Sequence, residues 1–363
     1  MTGAVEVTKQ PAAATWRQYP ILPDDGTAGT LVGRVWRPAT DGKPAGPSVA
    51  VIRDDGVYDI TSAAPTMSVL LNTTEPVALI KSTPGERLGS LEEIVDNTVA
   101  EKRDERLARL LAPIDLQTVK AAGVTFAVSL LERLIEEQAK GDPSRAEDVR
   151  QELSAAIGAD IASVKPGSEQ AEQLKQTLVS KGLWSQYLEV GIGPHAEIFT
   201  KAPPMASVGY GAEVGIRNDS EWSNPEPEVV LAVNARGEIV GATLGNDVNL
   251  RDMEGRSALL LGKAKDNNAS SAVGPFIRLF DSTFSLDDLR SAEVRLDVIG
   301  LDGFHLQGRS DLGQISRDPV ELVRQTMGEH HPTAWRSTRG RSLHRLSRVR
   351  LADPASRTSS ATP

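Results

Sequence analysis

Two glutamates, Glu226 and Glu228, stand two residues apart in NPEPEVVLAVN, at the head of the apolar run Val229 to Val233. Residues at i and i+2 of a strand face the same side, so the two carboxylates project together. Asn234-Ala235-Arg236-Gly237 reads as a turn and Glu238 to Leu244 as a returning strand. Pairing Asn234 with Glu238 sets Leu244 opposite Glu228 and Asn246 opposite Glu226, with Asp247 beside the two glutamates. Three carboxylates this close raise one another's pKa. A divalent cation relieves that repulsion, and an all-oxygen set suits Mg2+, with substrate or water completing the octahedron. The plain alternative is a solvated hairpin whose acids face water.

Other residues could join such a centre. Lys265 needs burial or a cationic neighbour to act as a base; otherwise it grips a substrate oxygen as a cation. Lys201 precedes Ala202-Pro203-Pro204 and reads by itself as an exposed turn lysine. Asn267, with Asn268, either bonds substrate hydroxyls or shapes a turn. Ser129 and Glu132 have the spacing of a capping box opening a helix. His195 follows Gly-Pro and reads as a loop residue, while His330 and His331 lack companion ligands.

The elements that must position these groups are mostly strands. Residues 1–28 read as a flexible leader, and 29–115 as a small β-rich domain with strands Leu31 to Trp36, Ser48 to Ile52 and Val57 to Ile60. A short helix is expected over Ala64 to Leu71, and a charged solvated helix over Leu91 to Leu111. Ala121 to Gln138 opens as a strand and continues as an amphipathic helix, followed by helices over Pro143 to Ile157 and Gln170 to Lys181. Trp184 and Tyr187 precede a return to strand patterning. Pro194 to Lys201 alternates as a strand, and Val208, Val214 and Ile216 belong to short ones. Val294 to Ile299 and Phe304 to Leu306 form a second hairpin around Asp302-Gly303. Asp318 and Pro319 start a helix running to Thr326. The catalytic domain is expected to span 116–328.

Composition narrows the field. A net charge of −9 over 363 residues argues against nucleic acid or an anionic membrane as a general partner. The chain has no cysteine, so disulfides and thiolate chemistry are excluded. No apolar stretch approaches a bilayer span, and no signal core opens the sequence, so a cytoplasmic location is expected.

The Glu-x-Glu pair, Asn246-Asp247-Val248 with Arg251 and Asp252, and Lys265 followed by Gly274-Pro275 together resemble the fumarylacetoacetate hydrolase superfamily. The resemblance implies a rolled mixed β-sheet flanked by helices, a mostly β fold with a small N-terminal β domain. It implies Mg2+, or Mn2+ or Ca2+ in its place, held by Glu226, Glu228 and Asp247, with Lys265 in the active site. Superfamily members are often homodimers. Hydrolytic members carry G-x-N-Y-x-x-H-x-x-E, whose His and Glu activate water. Here Gly123 to Glu132 reads GVTFAVSLLE, with Ser129 in the place of the histidine. Ser129 cannot serve as a base near neutral pH without a partner.

The run from Pro113 to about Gly328 is also similar to a lyase branch of the superfamily, the bacterial 2-keto-3-deoxy-D-xylonate dehydratases. VKAAGVTFAVSLLERLIEEQ, LWSQYLEVGIGPHAEIFTKAP and GNDVNLRDMEGRSALLLGKAKDNNASSAVGPFIRLFD carry that likeness. It implies dehydration of a small 2-keto sugar acid to 2,5-dioxopentanoate in oxidative pentose breakdown. Glu132 and Lys265 would then share the acid and base roles, with Ser129, Lys201 and Asn267 as substrate contacts. The competing readings are an acylpyruvate or fumarylpyruvate hydrolase on the same metal, and an inactive family member. Beyond Gly328 the likeness stops, and 329–363 is an Arg- and Ser-rich segment with neither helix nor strand period. We expect an out-of-frame or truncated end there, in preference to a basic tail for an acidic partner.

Overall fold

The first strands follow from β-branched runs broken by Asp-Gly turns: β1 (Leu31–Arg37), β2 (Gly46–Arg53) and β3 (Gly56–Asp59). The structure, a computed structural model, describes residues 19–126, 130, 135, 148, 151, 164–300 and 302–327. Ser129, Glu132, the segment 329–363 and, apart from residues 148 and 151, the helix expected over Pro143 to Ile157 lie outside the described residues. Next come α1 (Met67–Asn72), α2 (Pro76–Ser82), β4 (Glu86–Gly89), α3 (Leu91–Val99), β5 (Arg109–Leu111) and β6 (Val119–Gly123). After residue 163 follow α4 (Glu169–Ser180), α5 (Gln186–Ile192), β7 (Glu197–Ala202), β8 (Ser223–Asn224), β9 (Pro227–Val233), β10 (Ile239–Asp247) and β11 (Asn249–Leu250). Then come α6 (Arg251–Glu254), α7 (Leu261–Lys265), β12 (Ser271–Leu279), α8 (Leu286–Arg290), β13 (Glu293–Ile299), β14 (His305–Asp311) and α9 (Pro319–Met327).

Among the described residues the main sheet has eight strands, in the order β4-β3-β2-β1-β12-β10-β9, with β5 also on β1. Its ladders are antiparallel, and one parallel bridge joins Val208 to Ala272. Alternation sorts its side chains to two cores. Val32, Val49, Val51, Ile277 and Leu279 pack with Met67, Leu70 and Leu71 of α1 and Ile80 of α2. Leu31, Val35, Ala50, Ile52 and Phe276 face the other way, onto Ile94 and Val95 of α3. The fold is mostly β with flanking helices, as expected. Residues on either side of the expected boundary at 115 share one sheet and one core.

A bulge changes the expected register of the signature hairpin. Asn234 does pair with Glu238, its N–H donating to Glu238 O at 3.0 Å. Between Ile239 and Gly241 the ladder slips by one, so Gly245, not Leu244, lies opposite Glu228. Asn246 faces Pro227, and Asp247 N donates to Glu226 O at 2.9 Å. Gly241 allows the close approach: a Cβ there would stand 2.5 Å from Arg278 O on β12.

Two further expectations are corrected. The helix over Leu91 to Leu111 ends at Val99. There the Asn97 side chain accepts from Asp104 N and donates to the carbonyls of Asp104, Leu107 and Ala108, turning the chain back into β5. Val208, Val214 and Ile216 form no strands, and only Val208 makes a bridge. Gly215 passes so close to Asn268 that a Cβ would meet its carbonyl oxygen at 2.0 Å, so the segment lies flat on that turn.

The second cluster of helices is fastened through α9. Asp318 Oδ1 accepts from Val320 N at 2.8 Å, capping the helix as its sequence predicts. Arg317, 1% exposed, donates to Val190 O and Gly193 O, closing the carbonyl end of α5. No described helix is long and apolar enough to cross a membrane.

Candidate active site

The bulge at Gly241 aims the acidic residues. In a pleated sheet a one-residue slip turns every later side chain to the opposite face. The slip puts Asp247 directly across from Glu226, on the face that also carries Glu228. One ligand-capable oxygen from each of Glu226, Glu228 and Asp247 lies within 4.8 Å of the others. The three carboxylates line a cavity of about 1160 Å3 between β9, β10 and the two-stranded sheet of β6 and β7, with α7 and α9 at its edges.

Lys265, at the end of α7 and 3% exposed, enters this cluster. Its Nζ donates to Glu226 Oε2 at 2.5 Å and Asp247 Oδ2 at 3.1 Å, and stands 5.6 Å from the centre of the Phe199 ring. Burial works against its charge, but Glu226 and Asp247 outweigh burial and raise its pKa. Lys201, on β7, borders the same cavity and is 1% exposed. Burial lowers its pKa in spite of Asp247. Its Nζ forms a buried ion pair with Asp247 Oδ1 at 2.9 Å. Glu228 is pushed up to about 8, by burial first and then by Asp247 and Glu226.

This donor set fits a hard divalent cation. Three carboxylates converge, and one carboxyl resists ionisation until a further positive charge arrives. An α-keto acid has the matching chemistry to complete the coordination shell.

The structure brings together Glu226, Glu228, Asp247, Lys265 and Lys201. It does not bring Asn267 to the cavity: that side chain donates to Lys263 O at 2.9 Å and shapes the turn after α7. His195 is exposed in the loop after α5 and does not line the cavity.

Two asparagines were given no role in the sequence reading. Asn246 Oδ1 accepts from Glu226 N at 3.0 Å, and Asn249 Nδ2 donates to Glu226 Oε1 at 2.9 Å and Glu254 Oε2 at 2.7 Å. Both stand in NDVN beside a singled-out aspartate, but nothing in their spacing says which way an amide points.

No protein-family model matches the sequence. The chain is 28% identical over 228 residues to a probable 2-keto-3-deoxyxylonate dehydratase of Haloferax volcanii, covering 62% of this chain and 61% of that protein. It is 40% identical over 127 residues to the 2-dehydro-3-deoxy-D-arabinonate dehydratase of Saccharolobus solfataricus, covering 35% of this chain and 42% of that one. The matches thus span between two fifths and three fifths of these relatives' lengths. A solved structure of a 2-keto-3-deoxy-D-arabinonate dehydratase complexed with magnesium and 2,5-dioxopentanoate superposes with a TM-score of 0.52. That superposition has 20% identity and covers 80% of this chain and 81% of the other. The chain is therefore similar in sequence to 2-keto-3-deoxypentonate dehydratases over part of their length and shares the fold of the solved 2-keto-3-deoxy-D-arabinonate dehydratase.

Proposed function

We propose that the protein is a divalent-cation-dependent hydro-lyase that removes water from a 2-keto-3-deoxypentonate and yields 2,5-dioxopentanoate. The observation that carries this reading is the convergence of Glu226, Glu228 and Asp247 beside buried Lys265 in one large cavity. The likeness to dehydratases of this substrate class supports the choice of substrate.

Glu226, Glu228 and Asp247 would hold the cation, Mg2+ in first place. When bound, it supplies Lewis-acid polarisation of the 2-keto group, which eases loss of a C3 proton. Lys265, held as an ammonium by two carboxylates, supplies a positive charge and a proton at Nζ, suited to the departing C4 hydroxyl. We assign removal of the C3 proton to Glu132, the remaining carboxylate of the sequence motif. Asn249 and Asn246 hold Glu226 from its side chain and its backbone, leaving Oε2 turned to the cluster.

The test is an assay for 2,5-dioxopentanoate from 2-keto-3-deoxy-D-xylonate and 2-keto-3-deoxy-D-arabinonate, with Mg2+ and with EDTA. Aldehyde should form only with the cation. Pyruvate released from an acylpyruvate, with no aldehyde from either pentonate, would replace this reading with hydrolysis.

A further inference from the structure

We propose that Lys201 is a positioning residue that fixes Asp247 relative to Lys265 and does not touch substrate. The inference rests on reading the carboxylate triad as a cation site. An ammonium has three protons to give. Those of Lys201 go to Val248 O at 2.7 Å, Lys265 O at 2.6 Å and Ser270 Oγ at 3.4 Å. All three acceptors belong to the protein, and the side chain is 1% exposed. None is left for a ligand in the cavity.

What those acceptors are gives the residue its role. Val248 follows Asp247 directly, so its carbonyl reports the position of the ligand-bearing end of β10. The Lys265 carbonyl closes α7, where a helix leaves its last carbonyls without intrahelical partners and favours a cation. Ser270 Oγ sits over the turn between α7 and β12, within 3.0 Å of Lys265 O and 2.9 Å of Asn267 O. One ammonium delivered by β7 therefore ties β10, α7 and the turn into β12. Its charge also pairs with Asp247 Oδ1 at 2.9 Å. The carboxylate is held electrostatically.

The test compares the parent with Lys201→Met, which keeps the length and removes the charge. Mn2+ affinity is read by electron paramagnetic resonance, steady-state kinetics at saturating Mg2+, and folding by circular dichroism and thermal melts. Partners that orient a metal's ligands are worth roughly 10–100-fold in affinity or activity. We expect Lys201→Met to weaken Mn2+ binding about 10-fold or more and to lower kcat, with KM at saturating cation within about threefold. A KM raised about 10-fold, with Mn2+ affinity and kcat intact, would make Lys201 a substrate contact. A lower melting temperature with all three unchanged would make it a structural residue only. Should Lys201→Met not fold, Ser270→Ala removes one acceptor and should show the same pattern at about three- to tenfold; unchanged Mn2+ affinity and kcat there overturn the proposal. A parent that binds Mn2+ but turns over no pentonate sinks the substrate reading alone. A parent that binds no divalent cation sinks the triad reading and this proposal together.

Discussion

Strand β12 runs between two clusters of buried charge. At its far end Arg278 faces Asp281 and Asp25. Asp281 Oδ1 accepts from Thr283 N, Thr283 Oγ1 and the Arg278 guanidinium, and Oδ2 accepts from Thr30 and the same guanidinium. Burial alone would raise the Asp281 pKa, but these hydrogen bonds hold it far below the usual carboxylate range. Gly29 clears the space, since a Cβ there would lie 1.9 Å from the Arg278 guanidinium carbon. At the near end, beside Ser271, Glu228 is pushed up to about 8. The first cluster is complete within the chain. The second pairs Lys265 and Lys201 with Glu226 and Asp247 and still leaves the Glu228 carboxyl resisting ionisation, as the proposed cation site requires.

The contrast is broken most severely at Glu228. Glu228→Ala or Asp247→Ala should abolish detectable divalent-cation binding by calorimetry and lower kcat by about 10³-fold or more, equivalent to about 4 kcal/mol. The cation-free melting temperature of Glu228→Ala should hold or rise, because a repelled carboxylate has gone. Asp281→Asn should behave in the opposite way. It leaves the buried guanidinium with only the partly exposed Asp25 as a carboxylate partner, a change worth about 3 kcal/mol of unfolding free energy in denaturant melts, the low end for breaking a buried pair. Cation affinity of the protein that remains folded should stay within about threefold of the parent. A Glu228→Ala protein that melts early but binds Mg2+ normally would reverse the assignment of the two clusters.

This contrast also marks how far the sequence could be read. The pairing of Glu226 with Glu228 followed from strand periodicity, Asp247 from the expected hairpin register and the motif together, and Lys265 from the motif. The main strands and the cap at Asp318 were equally legible, because β-branched alternation and capping chemistry act over a few residues. The bulge was not legible. Nothing local to Val240 and Gly241 says that the backbone of β12 will pass against them, and without it Asp247 would face the wrong way. Lys201 was ambiguous for the same reason: its acceptors arrive from residues 248, 265 and 270. Of the two readings open for Asn267, the structure shows the turn-shaping one, because an amide near Lys265 in sequence need not share its cavity.

Acidity sharpens the comparison with smaller effects. Glu228 binds its proton more tightly folded, at about 8, than unfolded, near 4.5. Between those values the native state holds more protons, so cation-free stability falls as pH rises from about 4.5 to about 8. A bound cation displaces that proton. The gain in melting temperature from saturating Mg2+ should therefore grow between pH 6 and pH 8, by about 2–5 °C for a chain of this size. Asp281 has the opposite sign. Its depressed pKa gives stability that is present above the unfolded value of 3.8 and lost as pH falls below it, whether or not Mg2+ is added.

The smallest expected effect belongs to Asn249, which bonds Glu226 of the second cluster. It is fully buried, and its amide nitrogen is saturated by Glu226 and Glu254, as in the complete cluster. Its Oδ1 is buried and accepts nothing. The amide orientation follows from its neighbours, because the reverse would set an oxygen against two carboxylates. Asn249→Leu keeps the shape and removes both donors. Glu226 Oε1 then loses its fixed partner, and the carboxylate is free to turn away from the cluster. We expect Mg2+ affinity to fall about 10-fold, with a loss of stability of about 1–2 kcal/mol as the glutamates lose hydrogen bonds. Unchanged affinity in calorimetry, with the same loss of stability, would move Asn249 to the scaffold and leave Lys265 to hold Glu226 alone.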